Sequence, residues 1–366
     1  MIKEIESLEA FLRNGISFEN VTIQDVDFSS MSINWHALKI NRTTFLGCRF
    51  TAEDKLYLIN QGAIVLEKPE GLPYNPFRKD LYHWQELESG DKTTQDYKIY
   101  DHFHQSRYNP PVNEALWQRI HDHAIDDALR EFIEMGDNGL PKAKCVGIMG
   151  GHQTSRLDKN YKKVALTAKW LTEAGYLVAS GGGPGIMEAA NLGAFLANRS
   201  DNSLSDAIEH MAEAPVYRDQ NFTRLAIEVN RSYGEQNKSL AIPTRFYGHE
   251  PSNVFSSAIA KYFSNSIRED TLLAICIHGV IFAPGSAGTV QEIFMDAAQN
   301  HYGTYNYLSP MIFLGQEHFE YDTMIFPLVR RLARHHPYAN LLALTDQPEE
   351  IVTFIENHPP IPTNSH

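Results

Sequence analysis

Two stretches decide the fold of this 366-residue chain: Tyr176-Leu-Val-Ala-Ser180-Gly-Gly-Gly-Pro-Gly-Ile-Met-Glu188 and Val280-Ile-Phe-Ala-Pro-Gly-Ser-Ala-Gly-Thr-Val-Gln-Glu292. Each reads as a short apolar strand, a glycine-rich loop and the start of a helix. The glycines let the backbone turn sharply and approach an anion, and Pro184 suits the first position of a helix. Free amides and the positive end of the helix dipole then make a phosphate site. Candidate binding residues are therefore Gly181, Gly182, Gly183 and Gly185 in the first loop, and Gly285, Ser286, Ala287, Gly288 and Thr289 in the second. The first loop is not a dinucleotide fingerprint, since a GxGxxG frame from Gly181 needs glycine where Ile186 stands. The second also contains Thr289-Val-Gln-Glu292, the pattern of a capping box.

Outward from these loops the same alternation continues. Strands are expected at Cys145–Met149, 176–180, 239–242, 279–283, Met311–Leu314 and 341–344. Helices are expected at 161–174, 184–198, 255–274, 289–299, 321–334 and Pro348–Asn357. Strand, helix, strand in succession means crossover units and a mostly parallel sheet with helices on both faces, an α/β fold whose ligands bind at the carboxyl ends of the strands. The loop at 150–156 also ends a strand, which makes Arg156 a candidate ligand contact. Ser155-Arg-Leu-Asp158 reads as a second capping box, and the aromatic loop at 244–250 is a place for a base to stack or simply a packed turn.

Residues 1–140 read differently and form an amino-terminal extension. Alternating apolar and polar residues at 18–50 point to short strands, and 112–135 carries a helical apolar period. Residues 141–357 are expected to form the α/β domain that carries both glycine loops, and the proline-rich 358–366 is expected to be a loose tail. No internal repeat stands out.

Composition narrows the function classes. With 43% hydrophobic and 21% charged residues the chain matches a soluble globular protein, and no apolar run is long enough for a bilayer. The amino terminus lacks a signal pattern, so a cytoplasmic location and no membrane partner are expected. A net charge of −13 argues against a nucleic-acid partner, whose binding rests on neutralising many phosphates. Three dispersed cysteines, Cys48, Cys145 and Cys276, make neither a disulfide framework nor a zinc site. The histidine pairs 102/104, 121/123 and 335/336 lack metal-site spacing, so no metal is expected.

The pair Gly181-Gly-Gly-Pro-Gly-Ile-Met187 and Pro284-Gly-Ser-Ala-Gly-Thr-Val-Gln-Glu292 resembles the GGGxxGxM and PGGxGTxxE motifs of the LOG family, the "Lonely guy" phosphoribohydrolases often mislabelled lysine decarboxylases. The resemblance covers about residues 144–357. It implies a Rossmann-like doubly wound sheet and hydrolysis of the N-glycosidic bond of an AMP-like nucleoside 5′-monophosphate to base and ribose 5-phosphate. No cofactor is implied, and a homodimer is. The family's catalytic glutamate falls on Glu292, its catalytic arginine on Arg268, and a substrate-contacting glutamate on Glu250. The chain departs from the pattern at Ser286, where the motif has glycine, and at Glu269, where compact members have lysine. Neither loop offers a Schiff-base lysine, which argues against a pyridoxal decarboxylase. The rival reading is a nucleotide-binding or cofactor-carrying protein of the same fold that performs no hydrolysis.

Overall fold

The computed structural model describes residues 3–88, 94–234 and 237–363. The chain divides into two compact units, Met1–Phe77 and Arg78–His366.

In the first unit short parallel strands stack as successive coils. Lys3–Ile5, Val21–Gln24, Thr44–Leu46 and Ile64–Leu66 form one sheet, and Ser17–Glu19 pairs with Lys39–Asn41 in another. Phe18 faces Ile40, Ile23 faces Phe45 and Asp27 faces Arg49, each 22 positions on, while Lys3 faces Val21 at 18 and Thr44 faces Ile64 at 20. The chain thus coils at a spacing of 18 to 22 residues, which the sequence reading missed because the stacked positions keep apolar character and not identity. Phe18, Ile23, Phe28 and Phe45 fill the coils, with Trp35 beside them. The unit has its own core.

The second unit contains a seven-stranded, wholly parallel sheet. Its strands are β1 (Cys145–Met149), β2 (Leu177–Ser180), β3 (Ser239–Ala241), β4 (Ala258–Ile259), β5 (Val280–Phe282), β6 (Met311–Leu314) and β7 (Leu342–Thr345), in spatial order β4-β3-β2-β1-β5-β6-β7. The order reverses at β1, which pairs with β2 on one side and β5 on the other. Strands buried on both faces explain why they read as unbroken apolar runs. The helices used below are α1 (Gln95–His104), α2 (Val112–Phe132), α3 (Lys159–Glu173), α4 (Ile186–Phe195), α5 (Asp201–Met211), α6 (Phe222–Tyr233), α7 (Asn265–Ile275), α8 (Ala287–Tyr302), α9 (Ile325–Ala333) and α10 (Pro348–Asn357). This is a Rossmann-like α/β fold.

Three expectations change. The domain boundary lies at Phe77/Arg78 instead of residue 140. Ile125, Ala128 and Leu129 of α2 belong to the core under the sheet, and Tyr82 exchanges backbone hydrogen bonds with Ile259 of the edge strand β4. The helix expected over 255–274 begins only at Asn265, because Ala258 and Ile259 are drawn into the sheet against Leu240 and Ala241. The tail is not loose: Ile361–Pro362 pairs antiparallel with Tyr307–Leu308, and the Thr363 amide donates to Asn306 at 2.8 Å. Residues 364–366 lie outside the described residues.

Candidate active site

The two glycine loops follow β2 and β5, on either side of β1, and their ends converge on one cleft of about 580 Å³. Gly150–His152 after β1, Gly181–Gly183 after β2, Pro243–Thr244 after β3 and Ser286–Thr289 at the start of α8 all line it. The Gly151 amide donates to the Pro284 carbonyl at 3.1 Å, tying the loops together. Gly182 has φ +73°, and a Cβ there would lie 2.9 Å from both Ala241 and Pro243, so the turn admits only glycine. Its amide donates to Ser180 Oγ at 3.1 Å.

Arg268 comes up from α7 between the loops and is almost fully buried. Its Nε donates to the Ile242 carbonyl at 2.7 Å, Nη2 lies 3.5 Å from the Gly181 carbonyl, and Nη1 lies 3.5 Å from Glu292 Oε1. The guanidinium is thus fixed on one side and presented on the other. Glu292 lines the cleft from α8. Burial raises its carboxyl above the ordinary glutamate range; Arg268 pulls it down and Glu269 pushes it further up. Glu269, also buried in the cleft wall, is held by Asn265 Nδ2 and Gln291 Nε2, each donating at 2.8 Å. It faces α8 as a second carboxylate beside Arg268.

Most sequence candidates meet here: Gly181, Gly182, Gly183, Glu250, Arg268, Ser286, Ala287, Gly288, Thr289 and Glu292 all line the cleft. Three do not. Gly185, at φ +69°, caps α4 against the backbone of Gly151 and His152. Gly285 packs on the Thr289 side chain. Arg156 is 1% exposed and points away from the cleft. Its Nε donates to Glu188 Oε2 at 2.9 Å, its Nη atoms donate to the carbonyls of Met211, Ala214 and Phe222, and its guanidinium lies 3.6 Å over the Phe222 ring. Arg156 joins α4 to the ends of α5 and α6 and is not a ligand contact.

Neither capping box forms. α8 begins at Ala287 after Ser286, so Thr289 lies inside the helix and Glu292 is free to meet Arg268. α3 is capped by Asp158, whose carboxylate accepts from Asn160, while Ser155 Oγ accepts from Leu157.

The sequence reading missed Lys261, a lysine in the otherwise apolar run 258–263 that lines the cleft. Its Nζ donates at 2.7 Å to Oδ2 of the fully buried Asp96, whose other oxygen pairs with Arg245; His249 Nε2 approaches at 3.4 Å. Burial favours the neutral acid, but Lys261, Arg245 and His249 together hold Asp96 well below the carboxylate range. Aromatic walls stand at Tyr247 and at Tyr217, the latter edge-on to His152 at 6.0 Å. Behind the site, one helical turn beyond Glu292, Asp296 is buried with no hydrogen bond to Oδ2, and burial pushes its carboxyl up to about 8.

Among the described residues no cluster of three or more metal-ligating side chains is present, and no helix is long and apolar enough to cross a membrane. Fold and cleft together define a Rossmann-like protein with a cleft at the switch point of its sheet, the place where such folds hold their ligands. No protein-family model and no curated protein matches the chain. Among solved structures, the molybdenum cofactor binding protein of the phototrophic bacterium Rippkaea orientalis aligns with 59% of this chain and 97% of its own, at 13% identity and a TM-score of 0.37. The molybdenum cofactor carrier protein of Chlamydomonas reinhardtii aligns with 59% and 98%, also at 13% and 0.37. A likeness of that size adds nothing to what the sheet order establishes.

Proposed function

We propose that the protein hydrolyses the N-glycosidic bond of a nucleoside 5′-monophosphate, releasing free base and ribose 5-phosphate. The observation that carries this reading is the facing of Arg268 and Glu292, Nη1 to Oε1 at 3.5 Å, between two glycine-rich strand ends. The likeness of the Pro284–Glu292 segment to the LOG motif points the same way.

As the C1′–N bond breaks, positive charge develops on the ribose. A carboxylate at Glu292 stabilises it and accepts a proton from the water that attacks C1′. The leaving nitrogen takes the bond's electron pair and ends with that proton. A carboxyl raised by burial is a better base near neutral pH than an exposed glutamate. Arg268, anchored on Ile242, has its Nη edge left to grip phosphate or ribose oxygens. In this reading the phosphate rests against the amides of 181–183 and 286–289, and the base lies between the aromatic walls with Glu250 at its edge.

The test is incubation of the purified protein with a panel of nucleoside monophosphates, following free base and ribose 5-phosphate by chromatography. Release of both products, lost by orders of magnitude in Glu292→Gln while nucleotide still binds, is the expected result. Binding without release from any nucleotide makes the protein a non-hydrolytic carrier. Turnover that survives Glu292→Gln removes Glu292 from the chemistry.

A further inference from the structure

The cleft sets three carboxylates, Glu250, Glu269 and Glu292, against two cations, Arg268 and Lys261. Both cations are engaged. Lys261 Nζ donates to Asp96 Oδ2 at 2.7 Å, and Arg268 Nη1 faces Glu292 at 3.5 Å. Among the described residues Glu269 enters no ion pair. Neutral amides brace it instead, Asn265 Nδ2 on Oε1 and Gln291 Nε2 on Oε2, each at 2.8 Å. The same Asn265 amide donates to the Tyr247 hydroxyl at 2.9 Å, tying the carboxylate to the aromatic wall.

A carboxylate oxygen has two acceptor directions. With one taken on each oxygen, Glu269 keeps one on each and has no donor to offer. A phosphate does not settle against it, because two anions in a half-buried wall repel each other. What it faces is therefore a donor. Tyr247 stands within electrostatic reach of the chemistry: burial raises its hydroxyl, Glu269 and Glu292 push it further, and Arg268 and the Asn265 amide pull it down. The ring stays neutral and free to stack on a base, with Glu269 and Glu292 as its neighbours.

We propose that Glu269 selects the base of the nucleotide, and that this base is guanine. The N1–H and the N2 amino group of guanine are adjacent donors on one edge and meet the two oxygens together, as a charge-assisted pair. Adenine and cytosine set a ring-nitrogen lone pair beside their amino group. Uracil and hypoxanthine set a carbonyl oxygen beside their N–H. Each of these four turns a lone pair toward an anion. The inference rests on the nucleotide reading of the cleft and not on hydrolysis within it.

Isothermal titration calorimetry on the full chain carrying Glu292→Gln, with GMP, IMP, AMP, UMP and ribose 5-phosphate as ligands, tests the proposal without turnover. GMP is expected to bind at least about tenfold more tightly than IMP, which lacks only the N2 amino group. Adding Glu269→Gln keeps the shape and replaces one acceptor by a donor. It is expected to weaken GMP by about tenfold or more, to leave AMP no weaker, and to leave ribose 5-phosphate unchanged, the last showing that the cleft is intact. IMP or AMP binding as tightly as GMP overturns the proposal. So does a Glu269→Gln protein that shifts every ligand alike, which sets Glu269 beside the phosphate. Wild-type hydrolysis that ignores the base refutes this inference and leaves the nucleosidase standing; a GMP preference without hydrolysis does the reverse.

Discussion

Arg156 stood among the candidate ligand contacts, and its surroundings turn that role into a stability prediction. Replacing it with methionine keeps most of the volume and removes the charge. What remains is the buried carboxylate of Glu188, with the Tyr161 hydroxyl donating at 2.8 Å, and the carbonyls of Met211, Ala214 and Phe222 without their guanidinium donor. Breaking a buried ion pair by deleting one partner costs about 3–5 kcal/mol. At roughly 2 °C per kcal/mol for a unit of this size, the melting temperature should fall by about 6–10 °C. Differential scanning calorimetry reads this directly, and nucleotide titration well below the melting point should find affinity unchanged. The double variant Arg156→Met with Glu188→Met leaves no unpaired charge and should recover much of the loss. An Arg156→Met protein that melts like the wild type but no longer binds nucleotide would refute the reasoning and return Arg156 to the ligand.

Three further outcomes follow from the cleft. Arg268→Lys should lower kcat by at least about tenfold in the nucleosidase assay, because one ammonium cannot hold the Ile242 carbonyl and face Glu292 at once. Gly182→Ala forces a side chain into a φ of +73° and against Ala241 and Pro243, so nucleotide binding by calorimetry should weaken together with stability. Asp296 provides a pH signature. Its carboxyl is pushed up to about 8 in the fold, so between the ordinary aspartate value and pH 8 the native state holds a proton that the unfolded chain has released. Its contribution is therefore full at low pH and lost as pH rises toward 8. Asp296→Asn should flatten that decline, making the variant more stable than the wild type at pH 8 to 9 in urea titrations.

Strands β1, β2, β5 and β6 of the large sheet were legible because they are buried on both faces and read as continuous apolar runs, and both glycine loops were visible by the turns they demand. What escaped was set by distance along the chain. Ala258–Ile259 is two residues long and takes its conformation from Leu240 and Ala241, so its local helical period misled. Asp96 reaches Lys261 across 165 positions, a contact no window on the sequence contains. Arg156 looked like a loop arginine because its five acceptors come from four separate places in the chain. The capping pattern at Thr289 was real as a pattern, yet α8 begins earlier and spends Glu292 on Arg268. The coils of the first unit stayed hidden because their spacing varies from 18 to 22 residues and stacking conserves only size and polarity.

The order of strands also dictates how the protein emerges during synthesis. β1 comes first and ends in the middle; β2, β3 and β4 then add outward on one side before β5, β6 and β7 add on the other. A nascent chain that has completed Ala258–Ile259 therefore carries one finished half-sheet whose exposed margin is Cys145–Met149, an apolar strand with a full row of unanswered amides and carbonyls. That margin stays open until Val280–Phe282 arrives, so a ribosome stalling in this interval leaves an adhesive intermediate that chaperones must shield.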